Sequence, residues 1–413
     1  MKPAVRVFVS LAALVALAAC STATPLELAV APREPSHFLF YRTAHRLKAL
    51  ELATGRTVFG ASNAVVDPSW SRVFAASGEE KGVLTTLNAR SGARLSRTGV
   101  PAFVRPSVVS GSGKLVAFTE PRSEGATPWL PDGRRHTNLV IVDPNGEARP
   151  RTLRLDGNLE PEAFSTDDER LFVIEYLPAM APSHYSVRRV NLETGKVSPI
   201  KRRNLKAPDF MRGTGRMQVL APNGQQLYTL YTQQGPNYAH GSVPEHEDEG
   251  AVHAFVHVLN LAHAWAHCVD LPAPFGTGLA TASALAQAPD GSRLYVTDWS
   301  NGTIAVVDPL GLKVMSVGHV DLGSADNETF AVAGGDDRLY VAGGSTVVAV
   351  AAPTLTATAR WRMRSEVSGL AVSRDGTRLY VGQKGSVLTL DAASGKKLGS
   401  MKAGGLQSIE HVS

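Results

Sequence analysis

The stretch that decides the fold is "APDGSRLYVTDWSNGTIAVVDPLGLKV", residues 288 to 314. Asp290-Gly291 is a turn signal, and the apolar run Leu294-Tyr295-Val296 follows it. Asn301-Gly302 is a second turn signal, and Ile304 to Val307 is a second apolar run. Asp-Gly and Asn-Gly between short β-rich runs are the strongest local signals of a hairpin. The same grammar returns as "SRDGTRLYVGQKGSVLTLDAASGKKLGS" from 373 and "GGDDRLYVAGGSTVVAVAAPTL" from 334. Weaker copies are "APNGQQLYTL" from 221, "STDDERLFVIEY" from 165, "SGSGKLVAFTE" from 110 and "DPSWSRVFAAS" from 67.

Aligned on the residue before the apolar run, these units place Arg72, Lys114, Arg170, Gln226, Arg293, Arg338 and Arg378 in register, with spacings of 42, 56, 56, 67, 45 and 40 residues. Each unit reads as four short strands, and four antiparallel strands per repeat of this length is the signature of a propeller blade. No stretch carries a helical period of useful length, which argues against a helical or leucine-rich solenoid. The fold expected is all-β, a single β-propeller. Seven units are whole and an eighth is split. "HFLFYRTAHRLKALELATGRTVFG", residues 37 to 60, supplies second, third and fourth runs without a first, and "LQSIEHVS", 406 to 413, supplies a lone first run. Pairing the C-terminal strand with the N-terminal blade removes two open sheet edges. Eight four-stranded blades are therefore preferred, with seven as the alternative.

The repeat resembles that of the YVTN family of β-propellers, which reads close to S-P-D-G-x-R-L-Y-V-x-N, an apolar strand ending in Asp, then T-G-K. "LETGKV" from 192 and "LATGRTV" from 52 carry its later part. The resemblance covers most of residues 36 to 413. It implies the architecture and leaves function open, because such propellers include binding proteins, lactonases, lyases and large subunits of periplasmic dehydrogenases.

The N-terminus carries the clearest local signal. Lys2 and Arg6 precede "VFVSLAALVALAA", an apolar run of 13 residues. That is too short to cross the ~30 Å bilayer core as a helix. The run ends Leu17-Ala18-Ala19-Cys20, similar to the lipobox of bacterial lipoproteins. The resemblance implies a signal peptide over 1–19, lipidation at Cys20, a tether over 20–35 and a propeller domain over 36–413. It also implies anchoring in the extracytoplasmic bacterial cell envelope; two or three acyl chains hold where one does not. Cys268, the other of the two cysteines, then has no intramolecular partner, and "AHCVDL" reads as a strand with a buried thiol. The net charge is +5, two of those charges lie in the leader, and no basic stripe stands out, so nucleic acid is not an expected partner. "KRRNLK", 201 to 206, reads as a solvated loop.

In a blade of this kind, the second-to-third-strand connection emerges on the same face as the link to the next blade. Three such connections are long, roughly 120 to 137, 177 to 184 and 232 to 252, and they belong to consecutive blades three, four and five. Long loops on a rigid scaffold are where function is usually placed. Trp129, His136, Tyr176, His184, Tyr231 and Tyr238 are the candidate ligand-face residues expected to border that surface. "HGSVPEHEDEG" adds His240, Glu245, His246 and Asp248, whose imidazole and carboxylate groups suit a divalent cation. Their spacing matches no known metal motif, so a solvated acidic tip is the plainer reading. His253 and His257 form an HxxxH pair that a strand would hold ~13 Å apart, too far for one ion. No GxSxG, CxxC or Walker motif occurs, and no catalytic set or cofactor is identified. The expected function is a binding or scaffolding module acting through the loops of blades three to five, on an unknown protein or small molecule. The alternative is a propeller enzyme with its site at the channel mouth.

Overall fold

The turns explain the repeat. The structure, a computed structural model, describes residues 37–78, 80–122, 131–203, 210–213, 215–234, 252–323, 328–335 and 337–413. In "SRDGTRLYV" the Ser373 hydroxyl donates to Asp375 Oδ1 at 2.5 Å and accepts the Arg378 backbone N–H at 2.9 Å. "STDDERLFV" builds the same turn: Ser165 donates to Asp167, and the Arg170 N–H donates to the Ser165 hydroxyl at 3.0 Å. The turn donors are therefore satisfied locally before the chain enters its second strand. In "SGK" and "TGK" the glycine takes a left-handed conformation, φ +70° at Gly395 and +72° at Gly195, which side chains with a Cβ resist.

These elements assemble into eight antiparallel sheets arranged as an eight-bladed β-propeller. Among the described residues the only helical element is the 3₁₀ turn Ala280–Ala282. The first strands of blades two to eight are Ala64–Val66, Arg105–Val109, Asn158–Phe164, Gly215–Leu220, Ser283–Gln287, Thr329–Ala333 and Val367–Val372. First strands of neighbouring blades lie side by side and form the inner wall of the ring. Blade one is built from both ends of the domain. Its sheet runs Arg56–Ala61, Leu47–Glu51, Phe38–Arg42, then Ser408–Val412. Leu39 pairs with Val412 and Tyr41 with Ile409. The eighth blade expected from the split repeat is thus present and closed by the C-terminal strand.

The apolar core is distributed between blades rather than gathered at one centre. Eight clusters of buried side chains each join two consecutive blades. Leu39, Tyr41 and Leu50 of blade one meet Ala371, Tyr380, Val387 and Leu406 across the closing junction. The approach there is close enough that a Cβ at Gly369, whose φ is +153°, would sit 2.5 Å from the Ile409 nitrogen.

Blade five departs from the four-strand expectation. Lys201–Arg202, read from sequence as loop, adds a fifth strand parallel to Trp265–Asp270. The unpaired edge of that outer strand supplies the reason: Lys201 N–H donates to Ala264 O at 3.1 Å and Arg203 N–H to Ala266 O at 2.9 Å. The Arg203 guanidinium lies over the Trp265 ring, 4.2 Å from its centroid.

Candidate functional site

The two faces of the ring are built differently. On one face the first-to-second-strand connections are all short, for example 165–169, 288–293 and 373–377. On the other face the second-to-third-strand connections run over 120–135 in blade three, 178–183 in blade four and 233–254 in blade five.

The described parts of these connections touch one another along the face. The Arg134 backbone N–H donates to Ala179 O at 3.0 Å, joining blade three to blade four. The Asn158 side-chain amide donates to Asp132 O at 2.8 Å and to Ala179 O at 3.3 Å. From blade four, Tyr185 exchanges backbone hydrogen bonds with Met211, 2.9 and 2.7 Å. The Arg212 N–H then donates to the Gln234 side chain at 2.7 Å, at the start of the blade-five connection.

Two cavities lined by described residues open on this face. The smaller, about 230 Å³, lies between blades three and four and is lined by Arg105, Ser107, Thr119, Glu120, Pro121, Arg122, Arg134, Leu159 and Glu160. The larger, about 780 Å³, spans blades one to three and includes Arg42, His45, Arg46, Asn63 and Gln407. Arg105 lines both.

Charge in the smaller cavity is organised around Glu160. Arg122 Nη2 donates to Glu160 Oε2 at 3.1 Å, and the Tyr176 hydroxyl donates to the same oxygen at 2.7 Å. The Arg122 guanidinium also lies over the Tyr176 ring at 5.0 Å. Glu120 accepts from the Asn138 amide at 2.5 Å. Burial, with the Arg122 charge beside it, holds the Arg134 guanidinium below its usual pKa.

The sequence-derived candidates separate on this frame. His136 opens its strand, is exposed, and its Nδ1 lies 2.9 Å from Asp156 Oδ1. His184 opens the third strand of blade four and meets the Phe210 ring edge-on at 5.2 Å. Tyr176 and Tyr231 were expected to border the surface, yet they are 1% and 0% exposed. Both occupy inward-facing positions of second strands, where alternation sends every other side chain into the core between blades four and five. There Tyr176, Tyr185, Tyr231 and Phe255 form a run of ring contacts, with centroids 5.4 to 6.0 Å apart. Tyr176 still reaches the site through its hydroxyl. Trp129, Tyr238, His240, Glu245, His246 and Asp248 lie outside the described residues. Among the described residues no group of three His, Cys, Asp or Glu side chains is placed to hold a metal ion. His257 sits inside a strand, 4% exposed, in ring contact with Tyr231.

Sequence reading passed over Arg105, Arg122 and Arg134. Arg122 and Arg134 lie near the two ends of the blade-three connection, 120–135. A pair of arginines at the roots of a long loop is a usable signal, but arginine is too common on surfaces for it to stand out.

The site therefore belongs to an eight-bladed β-propeller with one face of long, mutually contacting connections. No family model matches the sequence, and no curated protein matches it. Among solved structures, the chain is similar to apo AztD from Citrobacter koseri, with a TM-score of 0.56 and 14% identity over 91% of this chain and 96% of that one. It is similar to the dihydro-heme d1 dehydrogenase NirN in complex with DHE, with a TM-score of 0.53, 14% identity, and 92% and 76% of the two chains covered. Sqt1 of Saccharomyces cerevisiae gives a TM-score of 0.52 at 10% identity, covering 89% and 88%. At such identities the likeness is one of fold.

Proposed function

We propose that this chain is a lipid-anchored, extracytoplasmic β-propeller of YVTN-like repeat that serves as a binding module, working through the face that carries the long connections of blades three to five. The observation that carries this reading is that two cavities lined by described residues open on that face and meet at Arg105. Exposed apolar side chains support it: Phe103 (73% exposed), Met180 (55%) and Leu279 (58%) all lie in connections of the same face. Exposed aromatic and large apolar groups beside arginine are the composition of binding surfaces. The lipobox-like Leu17-Ala18-Ala19-Cys20 supports the anchor. A divalent cation at His240, Glu245, His246 and Asp248 belongs to this proposal only as an added ligand of the same face.

Cross-linking in native membranes with the full chain tests the assignment. Arg46→Glu, on the mouth of the larger cavity, is expected to remove the cross-linked partners. Arg374→Glu, in a tight turn of the opposite face, is expected to keep them. Equal recovery from both variants would remove the working face from consideration.

A further inference from the structure

Three guanidinium groups and two carboxylates share the wall of the smaller cavity, and their pairing is unequal. Glu160 is held by Tyr176 and Arg122, and Glu120 by Asn138. Both acids are therefore already hydrogen-bonded. The cations are not matched in the same way. Arg122 spends Nη2 on Glu160, while its Nη1 is buried with no acceptor among the described residues. Arg134 is half-buried and feels the charges of Glu120, Glu160 and Asp132, but among the described residues no carboxylate lies within ion-pair distance of it. Arg105 is exposed at the rim. A buried guanidinium N–H without an acceptor costs free energy, and the group that relieves it is an anion with several lone pairs. Arginine is the side chain best matched to carboxylate and phosphate, because its planar fork presents two parallel donors. Ser107 and Thr119, whose hydroxyls lie 3.2 Å apart, supply neutral donors on the same wall.

We propose that this cavity is an oxyanion subsite, in which Arg122, Arg134 and Arg105 take the carboxylate or phosphate group of a small polar ligand whose remainder extends along the larger cavity. The proposal rests on the working-face reading and gives it a ligand class. The dimensions agree: about 230 Å³ suits a head group, and about 780 Å³ with Arg46, His45, Asn63 and Gln407 suits a polar body. Arg105 is the residue that both parts of such a ligand would touch. Glu160 sets the specificity. It stays fixed by the Tyr176 hydroxyl and Arg122, so it repels an anion placed deeper and leaves Arg134 and Arg105 as the donors not already paired with it.

Titration calorimetry of the full chain at constant ionic strength, with inorganic phosphate and with succinate as separate probes, tests this. Constant ionic strength matters because added salt screens charge non-specifically. One of the two probes is expected to saturate, and which one does so tells phosphate recognition from carboxylate recognition. Arg134→Gln is expected to weaken that binding at least about tenfold, the cost of one charge-assisted hydrogen bond. Arg105→Gln is expected to weaken it by a smaller factor, and Arg374→Gln on the opposite face to leave it unchanged. Arg122→Gln would also release Glu160, so it is read only together with its unliganded melting temperature. The proposal falls if neither probe saturates below roughly 10 mM, or if Arg134→Gln binds as tightly as the parent. That failure, beside a loss of cross-linked partners in Arg46→Glu, would discard the ligand class and keep the working face.

Discussion

The tight face and the open face are made from the same eight blades, and they differ in where their polar groups are satisfied. On the tight face most turn carboxylates and hydroxyls satisfy their own backbone, with the Ser112 hydroxyl donating to Asp168 of the next blade as an exception. Asp67 accepts from the backbone of Ser71 at 2.8 Å and of Arg72 at 3.0 Å, and from the Ser71 hydroxyl at 2.6 Å. Asp375, hydrogen-bonded first by Ser373 and then by Thr377, has its carboxyl lowered to about 2. On the open face polar groups reach across blades instead, as Asn158 does to Asp132 and as Arg122 does to Glu160. Local satisfaction leaves little over for a ligand. Satisfaction at long range leaves cavities between the partners.

The strongest way to break this comparison is to open the ring on which both faces depend. Deleting Leu406 to Ser413 removes the strand Ser408–Val412 and the 5%-exposed Leu406. Ile409, which also packs on that junction, goes with it. Two such side chains contribute ~1.5–3 kcal/mol each, against a typical total of ~5–15 kcal/mol. The truncated chain is expected to aggregate or to melt far below the parent. A parent-like melting curve would mean that the closing strand contributes little.

Acid should act next, at the same seam. His411 stacks on Trp70 with ring centroids 4.7 Å apart and an interplanar angle of 8°, and burial lowers its pKa from 6.5 to about 4. The unfolded chain takes up this proton more readily than the folded one. The stabilisation is therefore complete above pH 6.5 and is lost as pH falls from 6.5 through 4, by at most roughly 3 kcal/mol. The melting temperature of the parent is expected to drop more steeply in that window than that of His411→Phe. Parallel curves would assign the acid sensitivity elsewhere.

A substitution on each face sharpens the contrast further. Ser165→Ala on the tight face strips the hydroxyl from Asp167 and from the Arg170 N–H, and is expected to cost about 1–3 kcal/mol by denaturant titration. Arg46→Ala on the open face is exposed and should stay within about 0.5 kcal/mol of the parent. The smallest effect expected concerns a thiol. Burial, reinforced by Asp270, pushes the Cys268 thiol well above its usual range. Cys268 is partly exposed, so iodoacetamide should modify it slowly in the folded protein and much faster in denaturant, with mass spectrometry as the readout.

Sequence exposed the tight face almost completely. The period-2 runs and the Asp-Gly, Asn-Gly and Ser-Gly turns are local features, so "SRDGTRLYV" announces its own hairpin. The split blade was legible too, because a missing first run at Phe38 and an orphan run at Ile409 complement each other. The open face was legible as a place but not as chemistry. Arg122 and Glu160 meet only because blades three and four are neighbours in the ring, and no local pattern encodes that meeting. Tyr176 and Tyr231 read as surface aromatics because they stand near loop ends, yet strand alternation turns them inward. Lys201–Arg202 read as loop because a two-residue strand parallel to a distant edge leaves no periodic trace.

The closing strand also sets an order on biosynthesis. His37 Nδ1 lies 2.8 Å from Ser413 O across a sequence separation of 376 residues, so the seam is the most non-local pairing the ring makes. The strand Ser408–Val412 emerges from the ribosome after every other strand of the eight blades. Until then Phe38–Arg42 waits with an unsatisfied flank, and the entropy of bringing such distant segments together falls due in one late step. Production of this protein is therefore most exposed to mispairing at that moment. A helper that shields a bare strand edge would act on the first segment of the ring rather than on the last.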